Sequence, residues 1–239
     1  MPFQHSATMI RQLLTIGLVL MLAAGVPVLS FLTARRPELR QIPRTDLYFS
    51  AVVSQWLLTA VAVAVIWVAG PGFRIIGFQP LAASDLLFWA STLPGIAMAT
   101  MGLEIVLERF GLWPEESNLV YLLLPETRLE KLMAACVVAP TAALCEELLY
   151  RGFLFTVLSS WLGSTRWALL VASVAFGLAH VYQGARGMVR TALMGALLTI
   201  PVMRLGTLYP SMAAHFVIDA VALAWLGPRF LGGDRTRRS

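Results

Sequence analysis

Long apolar runs alternate with short polar segments rich in proline and glycine along most of this chain. In the amino-terminal half the runs cover about residues 13–32, 47–69 and 85–107, and a Pro94-Gly95 pair predicts a kink in the last of them. Each run is long enough to cross about 30 Å of hydrocarbon as an α-helix. None alternates with the period of two that a membrane β-barrel requires. The pattern therefore predicts membrane-spanning helices.

The carboxy-terminal half contains shorter apolar runs with clearer boundaries. Residues 129–139 and 141–158 predict two helices that Pro140 separates. Three further helices are predicted at about 167–182, 188–203 and 208–226. The whole pattern predicts an all-α polytopic transmembrane bundle of about seven spans, or about eight if the two helices around Pro140 each cross the membrane.

Two segments have an alternative interpretation. The first apolar run follows Arg11 and contains small residues at 23–25, as a cleaved signal peptide does. Because the run continues well beyond those residues, a retained helix is the better interpretation. The polar stretch 108–130 predicts a loop with a short interfacial helix, and it is a candidate gate because it leads into the carboxy-terminal helices.

The composition supports an integral membrane protein. Hydrophobic residues make up 58% of the 239 and charged residues only 13%, against roughly 25% charged residues in soluble domains. The net charge of +5 comes from arginines concentrated in residues 35–44 and in the tail after residue 228. The positive-inside rule places both segments in the cytoplasm, and lipid headgroups are the expected contact of their charge. No basic patch interleaved with aromatic residues indicates a nucleic-acid partner.

The chain divides by composition into three parts. Residues 1–128 are predicted to hold amino-terminal membrane helices and the gating loop, residues 129–228 a catalytic helical core, and residues 229–239 a basic cytoplasmic tail. The expected location is a bacterial inner membrane, crossed several times. Cys136 and Cys145 both lie in apolar stretches, so no disulfide framework is predicted.

A cluster of ionisable residues interrupts the apolar sequence at Cys145-Glu146-Glu147-Leu148-Leu149-Tyr150-Arg151. Charged groups at bilayer depth are costly and commonly functional. Glu147 and Arg151 are four positions apart on a helix, so an ion pair is expected between them. Glu146 lies about 100° around the helix from Glu147, and we expect it to point into a polar cavity. A buried ion-pair network without chemistry is the alternative interpretation.

Two of the three histidines lie in the apolar carboxy-terminal half, within predicted helices. Phe176 and His180 are four positions apart, which places an aromatic ring beside the imidazole. His215 and Asp219 have the same spacing, so the carboxylate is expected to bind one ring nitrogen and set the tautomer. Because lipid offers these polar groups no partners, we expect them to meet Glu146 and its neighbours in one cavity.

This residue set suits hydrolysis by an activated water. Glu146 is the candidate base, His180 the residue that holds the same water or relays its proton, and His215 the donor to an oxyanion. Cys145 is a poor nucleophile because the adjacent carboxylates disfavour its thiolate. Glutamate, histidine and aspartate are also competent zinc ligands, but no His-Glu-x-x-His spacing supports a metal site. No cofactor is predicted.

Three short motifs in this order carry a resemblance to a known family: Glu146-Glu147-x-x-x-Arg151, Phe176-x-x-x-His180 and His215-x-x-x-Asp219. They resemble the motifs of the CPBP family, which contains CAAX-type prenyl-protein endopeptidases and bacterial Abi proteins. The resemblance implies an intramembrane glutamic protease with Glu146 as the base and His180 as its partner. Glu147 and Arg151 correspond to supporting positions, and His215 and Asp219 to the oxyanion side. The eukaryotic CAAX branch has asparagine where this chain has Asp219. Because an ionised aspartate donates no hydrogen bond, Asp219 either orients His215 or is itself protonated.

The leading hypothesis is an endopeptidase that cuts a peptide or membrane-associated protein near its carboxy terminus. The alternatives are a non-catalytic membrane scaffold or bacteriocin-immunity protein and a zinc-dependent membrane protease. A proton-coupled transporter is a further alternative, but the chain shows no repeated halves. The substrate, the cut site and the oligomeric state are left open by the sequence.

Overall fold

The computed structural model describes residues 2–111 and 117–223, and every regular element in those ranges is a helix. The amino-terminal half contains α1 (Pro2–Leu20 continued by Val26–Ala34 through a π-helical turn, Met21–Gly25), α2 (Arg44–Val68), α3 (Leu86–Arg109) and the short α4 (Asn118–Leu123). Three 3-10 turns, Pro37–Gln41, Ala83–Asp85 and Val181–Gln183, lie between helices. The three predicted amino-terminal runs therefore form α1, α2 and α3.

The carboxy-terminal half contains four helices among the described residues. Helix α5 runs through Arg128–Leu162, and α6 (Thr165–Ala179), α7 (Gly184–Leu205) and α8 (Tyr209–Val221) follow. Two π-helical segments, Ala134–Val138 and Glu147–Leu154, lie inside α5. The basic tail predicted at residues 229–239 lies outside the described residues.

Pro140 does not separate two helices, contrary to the prediction. It lies in the first turn of the α-helical segment Ala139–Glu146, directly after the π-helical turn Ala134–Val138. A proline inside a helix lacks an N–H and clashes with the carbonyl four residues earlier. A π-helical turn is wider than an α-helical one, which moves that carbonyl away from the proline ring. Residues 128–162 therefore form one continuous helix of 35 residues.

Helix α5 is the centre of the bundle. All eight residues of its segment Glu147–Leu154 are buried. The main apolar core joins this segment to α1, α2 and α6, through residues that include Leu22, Ile66, Phe153, Leu154, Ala168 and Ala172. The ionisable cluster therefore lies on the helix that the other helices surround.

Helices α6 and α7 approach each other closely at Gly177. A Cβ atom at this position would lie 2.6 Å from the Met188 carbonyl oxygen and 2.7 Å from the Ala192 Cβ atom. Only glycine allows such an approach of two helix backbones. Gly177 is three residues before His180, so the close contact lies about one turn before that histidine.

Apolar side chains cover much of the outer surface of the helices. The most exposed of the large ones are Leu87, Trp67, Phe110, Met98 and Phe49. Four helical stretches among the described residues are long and apolar enough to cross a membrane: Thr8–Ala34, Arg44–Val68, Arg128–Leu162 and Val181–Leu205. The chain is thus an all-helical integral membrane protein, while the count of seven or eight crossings stays a prediction.

The predicted gating segment contains the expected short helix. Helix α4 is held to α2, where the Tyr48 hydroxyl donates to the Leu123 carbonyl over 2.7 Å and the Arg44 guanidinium donates to the Leu122 carbonyl over 2.9 Å. The backbone N–H of Ser117 donates to the Gln183 carbonyl, beside the turn that follows His180. Residues 112–116 of the predicted loop lie outside the described residues.

Candidate active site

Glu146 and Glu147 lie at the point where α5 changes from α-helical to π-helical geometry. Glu146 ends the α-helical segment, and Glu147 begins the π-helical segment Glu147–Leu154. Single π-helical turns inside α-helices are frequent at functional sites, because they redirect the side chains of the turn. The Glu146 side chain keeps 12% of its surface exposed and Glu147 keeps none. The two adjacent carboxylates therefore occupy different environments.

Glu147 and Arg151 form the ion pair that their spacing predicts. The Arg151 Nη1 atom lies 3.2 Å from the Glu147 Oε1 atom, and both side chains are buried. No hydrogen bond joins these two atoms, so the contact is a close ion pair. The Arg151 guanidinium also stacks 4.1 Å from the centre of the Phe176 ring, a cation–π contact. Phe176 thereby links the ion pair to helix α6.

His215 extends the ion pair from helix α8. Its Nδ1 atom lies 2.7 Å from Glu147 Oε1. An ionised carboxylate only accepts hydrogen bonds, so Nδ1 carries a hydrogen and donates it. Asp219, the expected partner of this ring, lies 3.4 Å from the other nitrogen, Nε2. The closer partner of His215 is therefore Glu147, which four-residue spacing along α8 does not reveal.

The sequence predicted His180 inside a helix, but the structure places it directly after α6, as the C-cap residue of that helix. The chain leaves the helix here through the 3-10 turn Val181–Gln183 and Gly184, whose φ of +80° favours glycine. His180 Nδ1 lies 2.8 Å from the Phe176 carbonyl oxygen. Since a carbonyl only accepts, Nδ1 donates, and in the neutral ring Nε2 has a free lone pair.

Glu146 faces both histidines. Its Oε2 atom lies 3.8 Å from His215 Nε2 and 3.9 Å from His180 Nε2. Both distances exceed the 2.7–3.2 Å of a direct hydrogen bond but are short enough for one water oxygen to contact each pair of atoms. The carboxylate oxygen and the lone pair of neutral His180 are both acceptors. A water molecule has two hydrogens to donate to such a pair.

The charges of the cluster are unequal before any histidine is protonated. Glu146, Glu147 and Asp219 bring three carboxylates within contact distance of His215, whereas Arg151 brings one cation. Unpaired buried charge is strongly unfavourable. A proton on His215 offsets part of the excess negative charge and gives both of its ring nitrogens a carboxylate partner.

The structure brings together all seven residues that the sequence singled out: Glu146, Glu147, Arg151, Phe176, His180, His215 and Asp219. Cys145 lies behind them, fully buried in α5, and both it and Cys136 are free thiols. Whether the seven residues act in catalysis stays a prediction.

One residue of the site, Gln55, was missed by the sequence analysis. Gln55, on helix α2, donates from its Nε2 atom to Glu146 Oε1 over 2.8 Å. The sequence does contain a signal for this residue. Gln55 is a polar amide within residues 47–68, a stretch that has no charged residue. Next to it, the Trp56 indole N–H donates to the Thr141 hydroxyl over 3.2 Å. Helix α2 therefore contacts α5 through two successive polar side chains.

A comparison with known families gives a match for the part of the chain that contains the site. Residues 128–221 match the family model described as type II CAAX prenyl endopeptidase Rce1-like. This match confirms the resemblance that the three motifs carry, and at the family level it indicates a membrane endopeptidase. Searches of curated proteins and of solved structures gave no match. Gln55 lies outside the matched residues.

Proposed function

From the match of residues 128–221 to a family of membrane endopeptidases, we propose that this protein is an intramembrane glutamic endopeptidase. The observation that carries the proposal is the position of Glu146 Oε2, 3.8 Å from His215 Nε2 and 3.9 Å from His180 Nε2. A base, a second acceptor and a cationic donor thus converge on one point. These are the groups that direct attack of water on an amide carbonyl requires.

In the proposed reaction Glu146 takes a proton from water while the water oxygen attacks the peptide carbonyl carbon. The neutral His180 ring accepts the second water hydrogen at Nε2 and so aligns the oxygen for attack. The carbonyl π electrons move to its oxygen, which becomes the oxyanion of a tetrahedral intermediate. When the C–N bond breaks, protonated Glu146 returns its proton to the leaving amine. No covalent enzyme intermediate forms.

His215 is the proposed oxyanion donor. Its Nδ1–H is committed to Glu147 at 2.7 Å, so donation from Nε2 requires the imidazolium form. Asp219, 3.4 Å from Nε2 and 30% exposed, favours that form before substrate binds and orients the ring. Asp219 acts on the oxyanion through His215, because an ionised aspartate has no hydrogen to donate.

The proposed setting is a polar cavity within the carboxy-terminal helices of a bundle that crosses a bacterial inner membrane about seven times. Hydrolysis at this depth requires that water and an extended peptide segment both reach the site through the protein. We propose that the substrate is a peptide or a membrane-associated protein cut near its carboxy terminus. A prenylated Cys-a-a-X end is the first chemistry to test, since the matched family is described by it.

The test uses the purified full chain in liposomes with two internally quenched peptides that share one sequence, one with a farnesylated cysteine and one without a lipid. We expect cleavage of at least one peptide, loss of cleavage in Glu146→Gln, and unchanged cleavage in EDTA. Cleavage of the farnesylated peptide alone identifies a prenyl-dependent substrate. Loss of activity in EDTA that zinc restores identifies the zinc-dependent alternative, and equal cleavage by Glu146→Gln refutes the proposed mechanism.

A non-catalytic scaffold is the second candidate, favoured by the complete burial of the Glu147–Arg151 pair. In a scaffold the cluster serves to hold the helices together. Substitution of Glu146 would then lower the free energy of unfolding as much as substitution of Glu147 or Arg151 does. The proposed protease instead loses turnover in Glu146→Gln while the protein accumulates and unfolds as the unsubstituted chain does.

A further inference from the structure

Gln55 is the only residue of α2 with a hydrogen bond to Glu146 among the contacts of the described residues. The bond is 2.8 Å long, and it joins two residues on different helices that are 91 positions apart in the chain. Gln55 is eleven residues after the start of α2 at Arg44, which places it about 16 Å along the helix at 1.5 Å per residue. An amide at that depth of an apolar helix is costly unless it is hydrogen-bonded.

The two oxygens of Glu146 have different partners. Oε1 accepts from Gln55 at 2.8 Å, and Oε2 faces the two histidines at 3.8 and 3.9 Å. Because Gln55 occupies one oxygen, the carboxyl group is held in one rotation about its last bond. The other oxygen is then left directed at the point where the histidines converge.

In this hydrogen bond Gln55 is the donor and Glu146 is the acceptor. Glu146 as a carboxylate only accepts, so the glutamine must present its NH₂ group, as it does in the structure. The contact therefore depends on the N–H group of Gln55.

A neighbouring contact restrains Gln55. The Trp56 indole N–H donates to the Thr141 hydroxyl of α5 over 3.2 Å. This bond restricts the rotation of α2 relative to α5. The side chain of Gln55 then reaches Glu146 from a fixed backbone.

We propose that Gln55 is a positioning residue for the water-activating Glu146, supplied by a helix outside the family-matched residues. The inference rests on the proposed endopeptidase function. It implies that residues 128–221 do not hold the complete site, because one of the two Glu146 oxygens is bonded from the amino-terminal half.

The test combines kinetics with infrared spectroscopy on the full chain in liposomes. Gln55→Met keeps the length and volume of the side chain but removes the donor, whereas Gln55→His keeps an N–H at a similar reach. Ser54→Ala is the matched control, since Ser54 is an exposed neighbour whose hydroxyl donates to the Ala51 carbonyl of its own helix. The probe is the farnesylated quenched peptide and its unlipidated form.

We expect Gln55→Met to lower kcat by about 10-fold to 100-fold with little change in KM, because a misdirected catalytic group costs rate rather than binding. Gln55→His should recover most of the rate, and Ser54→Ala should keep all of it. In infrared difference spectra, the carboxylate band assigned with Glu146→Gln should shift in Gln55→Met. A kcat in Gln55→Met equal to that of the unsubstituted chain overturns the inference.

The two proposals fail in different ways. If the unsubstituted chain cleaves neither peptide, or Glu146→Gln cleaves as well as it does, the endopeptidase proposal fails. The infrared measurement needs no substrate and still tests the contact. An unshifted Glu146 band in Gln55→Met then overturns the role of Gln55, and a shifted band supports it.

Discussion

At the scale of single residues, the site separates two adjacent glutamates into different roles. Glu147 is fully buried, hydrogen-bonded to His215 and ion-paired with Arg151, whereas Glu146 is partly exposed and hydrogen-bonded to Gln55. A carboxylate engaged by a buried cation is a poor base, because its charge is already offset. Glu146 is the better candidate base, because its Oε2 atom faces the two histidines without a direct hydrogen bond. The proposed chemistry is therefore assigned to Glu146.

Replacing His180 by asparagine separates its chemical role from its structural one. The asparagine amide nitrogen can still donate to the Phe176 carbonyl, as Nδ1 does at 2.8 Å, but it provides no acceptor in the place of Nε2. We expect turnover to fall by about 10²-fold to 10⁴-fold with an unchanged unfolding midpoint. Steady-state rates on the quenched peptides and thermal unfolding measure the two effects. Unchanged turnover would show that His180 does not hold the water.

Replacing Arg151 by methionine should destabilise the fold. The change leaves Glu147 as a buried carboxylate without its guanidinium partner, and breaking a buried pair in this way costs about 3–5 kcal/mol. The free energy of unfolding, measured by titrating the protein with denaturing detergent, reports the loss. Arg166→Met is the control, because Arg166 is exposed on α6. Equal effects of the two substitutions would contradict the structural role of the pair.

The residue types of the site could be predicted from the sequence, whereas several of its contacts could not. Four-residue spacing predicted two contacts, Glu147 with Arg151 and Phe176 with His180. In each pair, both residues lie on one helix or directly after it. The Glu147–His215 bond joins residues 68 positions apart and the Gln55–Glu146 bond residues 91 apart. Such contacts depend on how helices pack, which periodicity along one helix does not specify.

At the scale of helices, the polar and apolar pattern located the elements well but missed changes of geometry within them. Helices α1, α2 and α3 occupy the three predicted amino-terminal runs. Pro140 was expected to end a helix, and the π-helical turn before it made continuation possible. A π-helical turn adds one residue to the hydrogen-bonded ring and leaves no clear mark in an already apolar sequence.

The close approach of α6 and α7 gives a prediction at this scale. Gly177→Ala places a Cβ atom 2.6 Å from the Met188 carbonyl oxygen, so the helices must separate. We expect a loss of about 1–3 kcal/mol in the free energy of unfolding and lower turnover, because His180 follows on the same helix. Gly17→Ala is the control, since its Cβ meets nothing within 4 Å. A neutral Gly177→Ala would show that the helices are not in contact there.

At the scale of the whole molecule, the apolar outer faces and four candidate spans describe a membrane protein, and the orientation follows from the arginines. The arginine-rich segment 35–44 connects α1 to α2. Positive charge in a short loop favours the cytoplasmic side. The proposed topology therefore has an external amino terminus.

Labelling of Glu38→Cys tests that orientation. Glu38 is exposed in the 3-10 turn Pro37–Gln41, so a cysteine there is accessible to reagents from its own side of the membrane. We expect a membrane-impermeant maleimide to label it only after cells are opened. The unsubstituted chain, whose Cys136 and Cys145 are free, provides the background. Labelling in intact cells would reverse the topology.

The most direct measurement of the central claim compares membrane-protein cleavage products in cells that hold the unsubstituted chain or Glu146→Gln at equal abundance. Glutamine keeps the size and polarity of the side chain but is no base, so only the proton transfer is removed. We predict carboxy-terminal fragments, identified by mass spectrometry, that appear with the unsubstituted chain and are absent with Glu146→Gln. The same fragments in the same amounts from both would contradict the assignment of Glu146 as the group that activates water.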